Sequence, residues 1–462
     1  MSLICNAEVE GILGLDVRIE AGVVVEIGRG LRGAGEAVDA GGGALIPGLV
    51  DHHCHLFAAA AQADSVRLDD VAALDEVVRR IRAAAASRPA GGWIRATGCP
   101  GRLAETLDRE ALDAWAPKNP LRLQDQTGGL WLLNSAALAL VARGEVPECA
   151  ERAPGGELTG RMWRGDAWLG AQIGEVAPPF GPVGRRLATL GITAVTDASA
   201  TTTLARAALL AQAVRDGALP QRLMLMSAGA LMPPEDATFA VGPVKILLDD
   251  RDLLPLDEFV ARIAMARRWG RVVAVHCVTA GELALTLAAF AAAGSRAGDR
   301  IEHGGVIPQA AIEEVRALGL TVVTQPGFIH ERGERYFSEV DAGEQDDLYR
   351  CASLLAAGIG VAGSSDAPYG RWDCWAAMHA AVSRRTAAGR LLAAAECVSP
   401  RAALNLYLGG ASDPGGPVRR VLPGAAADLC LLDRPLRDVL AAPQAEYVAM
   451  TMIAGNIVYQ RG

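Results

Sequence analysis

The stretch Ile46-Pro47-Gly48-Leu49-Val50-Asp51-His52-His53-Cys54-His55 decides the fold of this chain, because an apolar strand runs directly into two histidines that one residue separates. Side chains alternate between the faces of a strand, so His53 and His55 point the same way, about 6 to 7 Å apart. Two imidazoles at that distance can share one metal ion, but a packed or surface pair of histidines has the same spacing. The choice between these interpretations depends on the rest of the chain.

Short apolar segments alternate with Ala-, Leu- and Arg-rich helical segments after this stretch, which is the pattern of parallel β/α units. Eight such strands predict an α/β fold, a closed (β/α)8 TIM barrel. The alternative, an open doubly wound sheet, normally carries a Gly-rich phosphate-binding turn after its first strand, where this chain has histidines. The predicted strands are 44–51, 192–197, 222–227, 244–248, 272–276, 300–303, 321–325 and 359–363.

Both ends of the chain have a different character from the predicted barrel, 46–418. Residues 1–45 and 419–462 contain short alternating runs separated by glycine-containing turns, which predicts one small β-sandwich domain built from both termini. The first two barrel strands are separated by a segment too long and too structured for a simple connection. We therefore expect an inserted subdomain at about 58–185, placed to cover the barrel mouth.

Composition excludes several classes of partner. The formal charge is -9 and no basic run is present, which argues against nucleic acid or an anionic membrane and favours a small-molecule substrate. Nine cysteines without a C-x-x-C pair suit reduced thiols in a cytosol. The most apolar stretch, 283–294, is shorter than the roughly 20 residues that span a bilayer, and no signal peptide is apparent. We expect a cytoplasmic protein; a homo-oligomer is left open.

Lysine is almost absent from this chain, which uses arginine by default. Its two lysines are Lys118, in a polar turn, and Lys245, inside the apolar fourth strand. A free ammonium is costly to bury there. Unlike a guanidinium, an amine can lose its proton and react, so Lys245 indicates a task that arginine cannot perform.

Potential ligands lie at the C-terminal ends of the predicted strands, where TIM barrels carry their active sites. Besides His53 and His55, these are His276 after the fifth strand, His303 after the sixth and Asp366 after the eighth. Neutral imidazoles and a carboxylate are good ligands for zinc, manganese or iron. The set therefore predicts a divalent metal, zinc in the first place, that would activate a water, with Asp366 as the general base.

These residues resemble the amidohydrolase superfamily of metal-dependent hydrolases. The resemblance lies in Pro47-Gly48-Leu49-Val50-Asp51 followed by His53-x-His55, the lysine of strand four, the histidines of strands five and six and the aspartate after strand eight. It implies that His53 and His55 bind one ion and that His276 and His303 bind a second. It also implies that Lys245, carboxylated on its amine, bridges the two ions, while Asp366 is both ligand and general base. Without carboxylation, a one-metal site remains.

Within the superfamily, segments such as Ser365-Asp366-Ala367-Pro368 look like the branch that contains N-substituted formamide deformylase. That resemblance implies attack of a metal-activated hydroxide on a non-peptide C–N bond in an amide, an N-formyl or N-acyl compound or a cyclic amide. One alternative is a deaminase of cyclic amidines, which usually has Glu three residues after the strand-five histidine. In this chain Thr279 occupies that position, and the nearest glutamate is Glu282. A remote alternative is a non-catalytic binding protein on the same barrel.

Three residues outside the ligand set are candidates for substrate contact. His330 follows strand seven in a polar segment that is predicted to be a loop at the barrel mouth. Trp163 and Arg164 belong to the inserted region, where they could line a lid.

Overall fold

The computed structural model describes residues 2–32, 37–174 and 177–462, without the side chains of residues 166 and 167. The chain forms two compact units. One contains Met1–Ala59 and Phe180–Gly462, and the other is Ala60–Pro179.

Three sheets contain all 22 strands of the described residues. The strands are β1 (Ser2–Val9), β2 (Ile12–Glu20), β3 (Val23–Gly28), β4 (Ala37–Asp39), β5 (Ala44–Pro47), β6 (Leu49–Cys54), β7 (Val66–Arg67), β8 (Ile94–Cys99), β9 (Leu121–Asp125), β10 (Leu130–Leu133), β11 (Ala150–Arg152), β12 (Leu158–Trp163), β13 (Ile192–Asp197), β14 (Arg222–Ser227), β15 (Phe239–Ile246), β16 (Val273–Cys277), β17 (Arg300–His303), β18 (Thr321–Thr324), β19 (Val361–Gly363), β20 (Leu429–Leu432), β21 (Val448–Ile453) and β22 (Asn456–Gln460).

Helices connect most of the barrel strands and also occur in the second unit. They are α1 (Leu56–Ala63), α2 (Leu74–Ser87), α3 (Gly101–Ala104), α4 (Arg109–Trp115), α5 (Ser135–Val141), α6 (Asp166–Ile173), α7 (Gly181–Thr189), α8 (Leu204–Arg215), α9 (Leu256–Arg268), α10 (Ala280–Ala293), α11 (Ile312–Ala317), α12 (Gly327–Glu339), α13 (Ala352–Ala356), α14 (Cys374–Ser383), α15 (Pro400–Asn405) and α16 (Leu436–Ala441). Short 3-10 helices occur at Gln309–Ala311, Gln345–Asp347, Ala394–Glu396 and Ala445–Tyr447.

Eight parallel strands form the predicted TIM-like barrel, which confirms the fold class. They lie in the order β19-β18-β17-β16-β15-β14-β13-β6, and each strand pairs with its neighbours. β6 and β13 are buried along their whole length, as expected where both faces of a parallel sheet are covered. One β/α unit departs from the pattern, because residues 228–238 join β14 to β15 without a helix.

The barrel is closed at the seam between its first and last strands by side-chain and loop hydrogen bonds. Among the described residues, β6 and β19 share no ladder. Instead the Asp51 carboxylate accepts bonds from the backbone N–H of Ser365, at 3.0 Å, and from its hydroxyl, at 2.5 Å. Just above, the N–H of Asp366 donates to the carbonyl of His53 at 2.8 Å. The seam therefore holds the ends of β6 and β19 together.

The segment predicted as one strand, 44–51, contains two strands of different sheets. β5 pairs with β20 and β1, whereas β6 starts the barrel at Leu49. Gly48 separates them at a close approach to β13, where an added Cβ would lie 2.1 Å from Cγ2 of Thr193. The apolar run is continuous across this point, so hydrophobicity alone does not show the break.

The termini form one mixed eight-stranded sheet, in the order β22-β21-β20-β5-β1-β2-β3 with β4 paired to β1. Its core is made of buried aliphatic side chains from both ends of the chain, such as Ile4 and Ile19 with Leu431 and Met452. Both termini therefore contribute to one sheet, as predicted, and its division from the barrel as a small β-sandwich domain stays a prediction.

The second compact unit has a six-stranded sheet in the order β11-β12-β10-β9-β8-β7. Its core contains buried side chains of α2, α4, β9 and β10, including Ile81, Leu112, Leu121 and Leu132. A structured insertion therefore follows the first barrel strand, as the long interval between the first two barrel strands indicated.

No helix in the part of the chain that the structure describes combines the length and the apolar character that crossing a membrane requires.

Gly48→Ala should destabilise the first unit by about 1 to 3 kcal/mol, because the new methyl group would overlap the buried Thr193 side chain. Chemical denaturation of the purified protein measures this free energy. Gly229→Ala is the matched control, since a Cβ at Gly229 has open space. Adding Thr193→Gly to Gly48→Ala should recover part of the loss; additive losses in the double variant would contradict the steric explanation.

Candidate metal centre

Two imidazoles lie at the end of the first barrel strand. His53 is the penultimate residue of β6 and His55 lies just beyond it, and the centroids of their rings are 5.3 Å apart. Both line the same cavity, whereas His52 and Cys54 are not among the described residues that line it. Strand alternation thus places the first two predicted ligands together.

His276 and His303 bring two further imidazoles to this cavity from β16 and β17. The centroid of the His303 ring lies 4.7 Å from that of His53 and 4.6 Å from that of His276. His303 has a left-handed backbone conformation, with φ of 72°, at the point where β17 ends. The four predicted histidines therefore lie next to one another.

Asp366 approaches the first two histidines from the opposite side of the seam. Its Oδ1 lies 3.5 Å from Nε2 of His53 and 3.2 Å from Nε2 of His55. Its backbone is left-handed, with φ of 54°, and its N–H is fixed by the His53 carbonyl. The turn after β19 thus aims the carboxylate at the two imidazoles.

Lys245 is almost completely buried in β15 and faces the same cavity. Its Nζ has no hydrogen-bond partner among the described residues. Burial lowers the pKa of this amine, against the opposing effect of the Glu302 and Asp366 carboxylates. An unpaired amine at this depth is the feature that the sequence pattern indicated.

The residues present fit a divalent metal. One ligand atom each from His53, His55 and Asp366 lies within 4.8 Å of the other two. Nε2 of His53, Oδ1 of Asp366 and Nζ of Lys245 are buried without a hydrogen-bond partner within the described ranges. Buried polar atoms are normally satisfied, and a cation with nitrogen and oxygen ligands would satisfy these. His276 and His303 lie outside the three-residue group but line the same cavity.

Burial favours the neutral form of the His53, His276 and His303 imidazoles, which is the form that binds metal. It lowers the pKa of His53 and of His303 well below the usual value for histidine. For His276 the pKa falls to about 4, through burial and the neighbouring Lys245 charge. A lone pair is therefore available on each of these three rings at neutral pH.

A second layer of side chains holds three of the rings in place. Nδ1 of His53 donates to the Glu302 carboxylate, which also accepts a bond of 2.5 Å from Nε of the buried Arg300. Nδ1 of His55 lies 3.0 Å from the Ser199 hydroxyl. With Nδ1 engaged in this way, Nε2 of both rings is directed at Asp366.

On the third ring, Nδ1 of His303 lies 3.0 Å from Oε1 of Gln325, whose amide group donates to Ser364 at 2.9 Å. This bond fixes the orientation of the His303 ring within the cavity.

The cavity has a volume of about 460 Å³. Beyond the ligand candidates, its wall is largely apolar and aromatic. This wall contains Leu247, Val278, Phe328, Arg332, Tyr336, Tyr349 and Tyr369. A cavity of this size and composition suits a small organic molecule.

The segment around His330 is a helix, so its prediction as a loop is wrong. α12 runs from Gly327 to Glu339 directly after β18, and His330 is exposed, with Nδ1 3.3 Å from the carbonyl of Arg385. His330 is not among the described residues that line the cavity. The polar composition of the segment reflects the solvated face of an amphipathic helix.

Trp163 and Arg164 lie in the second compact unit. Trp163 ends β12 and is half exposed, and the N–H of Arg164 donates to the Gly129 carbonyl at 2.7 Å. Their contact with substrate stays a prediction.

Two features of the site were not predicted from the sequence: the contact of Glu302 with His53 and the face of α12 that lines the cavity. Glu302 stands next to His303 in Arg300-Ile301-Glu302-His303, and a buried charged pair in a short strand is the signal that could have identified it. On α12 the signal is the four-residue spacing of Phe328, Arg332 and Tyr336, which becomes visible once the segment is treated as helical.

A TIM-like barrel with histidines and an aspartate at the C-terminal ends of its strands defines a metal-dependent hydrolase of the amidohydrolase superfamily. The chain belongs to the amidohydrolase family, which matches residues 36–459. N-substituted formamide deformylase of Arthrobacter pascens is 28% identical over 493 residues, covering 92% of this chain and 90% of that protein.

Solved structures have the same fold. An uncharacterised metal-dependent hydrolase from Pyrococcus horikoshii has a TM-score of 0.77 at 20% identity, covering 94% of this chain and 97% of that chain. An adenosine deaminase from Xanthomonas campestris with bound zinc has a TM-score of 0.56 at 16% identity, covering 99% of this chain and 92% of that chain. At these identities the likeness shows the fold alone.

Glu302→Gln should weaken divalent metal binding by about 10- to 100-fold, because the His53 ring loses its anionic partner and Arg300 loses its counter-charge. Competition with a chelator measures the affinity, alongside elemental analysis of the wild type, where we expect one to two ions per chain. Glu313→Gln is the matched control, since Glu313 forms an exposed ion pair with Arg316. An unchanged affinity in folded Glu302→Gln would contradict the positioning role.

Proposed function

We propose that this protein is a metal-dependent hydrolase that cleaves a non-peptide C–N bond of a small molecule, in an amide, an N-formyl or N-acyl compound or a cyclic amide. The observation that carries the proposal is the Asp366 carboxylate directed at Nε2 of both His53 and His55 in one cavity. The 28% identity with N-substituted formamide deformylase over most of both chains supports the same chemistry.

His53, His55 and Asp366 would hold a divalent cation, zinc in the first place, with manganese or iron as alternatives. A second ion would be held by His276 and His303, and Lys245, if carboxylated on Nζ, would supply a further anionic ligand. A divalent cation in such a site supplies Lewis-acid activation of a water and of a carbonyl oxygen. The lowered pKa of Lys245 increases the neutral fraction of its amine, which is the form that reacts with carbon dioxide.

Asp366 is the proposed general base. Its Oδ1 is buried and has no hydrogen-bond partner among the described residues, so it can accept a proton from the attacking water. The same carboxyl group then returns the proton to the leaving nitrogen as the C–N bond breaks. The products are a carboxylic acid and an amine.

Glu282 argues against deamination as the main reaction. Its carboxylate accepts bonds from the N–H groups of Val278, at 2.6 Å, and Thr279, at 3.0 Å, in a capping box at the start of α10. It does not line the cavity in the described structure. The glutamate nearest to His276 in sequence therefore caps a helix. Asp366 is the better candidate for proton transfer.

A substrate panel tests the proposal. Purified protein loaded with zinc, manganese or iron would be incubated with N-formyl, N-acyl, carbamate and cyclic-amide compounds, with amine or acid release as the readout. Cyclic amidines, with detection of ammonia, form the second arm. Release of amine or acid in the first arm supports the proposal, whereas ammonia alone would establish the deaminase. No turnover in either arm would favour a binding protein on this barrel.

Asp366→Asn should lower kcat by about 100-fold or more with little change in melting temperature, because an amide oxygen cannot accept the proton. Steady-state kinetics on the best substrate of the panel measure this loss. Asp438→Asn, at an exposed ion pair with Arg437, is the control and should keep the wild-type rate. An unchanged kcat in Asp366→Asn would remove the proposed base.

Lys245→Ala should lose activity, and short carboxylic acids such as acetate should restore part of it by occupying the vacated position in the cavity. The other lysine, Lys118, is exposed and gives a matched control, for which Lys118→Ala should behave as the wild type. Activity is measured with and without added acid. A wild-type rate for Lys245→Ala would contradict a role of the amine in the site.

A further inference from the structure

One face of α12 lines the cavity beside the candidate metal centre. Phe328, Arg332 and Tyr336 stand four residues apart on this helix, so their side chains share one face, and all three line the cavity. Arg332 is the one cation of the described cavity wall that is not a ligand candidate. It has no assigned role in the proposed reaction.

The Arg332 guanidinium is held in a defined position. It lies over the ring of Phe328, 3.7 Å from the centroid, and it donates a bond of 2.6 Å to the backbone carbonyl of Tyr369. Because stacking and this bond restrict the side chain, little further conformational entropy is lost when it binds a ligand. The N–H donors of the Arg332 guanidinium are therefore oriented before a ligand binds.

Arg332 has no carboxylate partner within 4.0 Å among the described residues, unlike its neighbour Arg335, which pairs with Glu339 at 3.0 Å. The adjacent Glu331 instead accepts a bond from the N–H of Arg371. A cavity-lining guanidinium that is stacked and has no carboxylate within ion-pair distance is suited to a planar anion.

Tyr369 links Arg332 to the candidate metal centre. Its N–H donates to the carbonyl of Asp366 at 2.8 Å, its own carbonyl accepts from Arg332, and its ring centroid lies 5.5 Å from that of His55. The turn from Asp366 to Tyr369 thus fixes the separation between the Arg332 guanidinium and the ligand residues. A molecule that bridges the two must carry its anionic group at a set distance from the bond that is cleaved.

We propose that Arg332 binds a carboxylate of the substrate, so that the preferred substrates are amides that bear a carboxylate, such as N-formyl, N-acyl or N-carbamoyl amino acids. This inference rests on the proposed function and narrows it to an anionic substrate class. The aromatic and aliphatic wall, including Leu247, Val278 and Tyr336, suits an apolar side chain on the same molecule.

The test compares matched substrates. N-formyl, N-acetyl and N-carbamoyl derivatives of phenylalanine and leucine are each paired with the primary carboxamide and with the decarboxylated amine derivative. In the wild type we expect kcat/KM to be roughly 10- to 100-fold higher for the carboxylates. Arg332→Gln should abolish this preference, mainly through a higher KM, while Arg332→Lys retains part of it. Arg335→Gln, on the solvated part of the helix, should retain all of it.

The wild type provides an arm that does not depend on folding of a variant. Hydrocinnamate should inhibit turnover of a neutral substrate more strongly than hydrocinnamide, and equal inhibition would overturn the inference. Equal kcat/KM for the neutral compounds and the carboxylates would overturn the inference but not the proposed hydrolase. A preference for carboxylates that persists in folded Arg332→Gln would have the same consequence. Absence of hydrolysis for every pair, with turnover of another compound of the substrate panel, would overturn this inference alone. Absence of turnover for the whole panel would refute the proposed function, and this inference with it.

Discussion

The seam between the first and last barrel strands is the constraint on which the site depends. β6 and β19 share no ladder in the described structure, and the Asp51 carboxylate bonded to Ser365 holds them together instead. Through the adjacent bond between the N–H of Asp366 and the carbonyl of His53, closing the barrel also brings the carboxylate to the two imidazoles. The geometry of the candidate metal centre is therefore linked to the same contacts that complete the fold.

Buried charged residues lie on β15 and β17 beside the candidate metal centre, and their burial has an energetic cost. Arg300 and Glu302 are almost fully buried, and desolvation offsets much of the attraction within such a pair. Glu302 also accepts from Nδ1 of His53, so the pair fixes the orientation of a ligand ring. Lys245, buried without a partner in the described residues, adds a further cost. A protein that retains three such groups in one barrel sacrifices stability for a positioned set of ligands.

The sequence was sufficient for the barrel and for the histidines, because buried parallel strands are continuous apolar runs and polar residues at their ends stand out. It was insufficient where the end of a strand or the role of a residue depends on contacts with residues distant in the chain. The break at Gly48 follows from the closeness of Thr193, which no local pattern reveals. The role of Glu302 follows from a partner 249 residues away. The segment around His330 was misjudged because the solvated face of α12 is polar enough to resemble a loop, which hid the spacing that points Arg332 at the cavity.

The span of sequence that the seam joins bears on when a metal can be acquired. Asp51 and Ser365 are 314 residues apart, and the ligand candidates lie on strands between or beside them. During synthesis, His53 and His55 emerge long before the residue that completes their group. A nascent chain therefore offers only a loose pair of imidazoles, and loop closure over such a distance is slow and entropically costly. On the proposed function, tight binding of a divalent cation would therefore follow folding of the barrel, because the ligand group is complete only when Asp366 joins the two histidines.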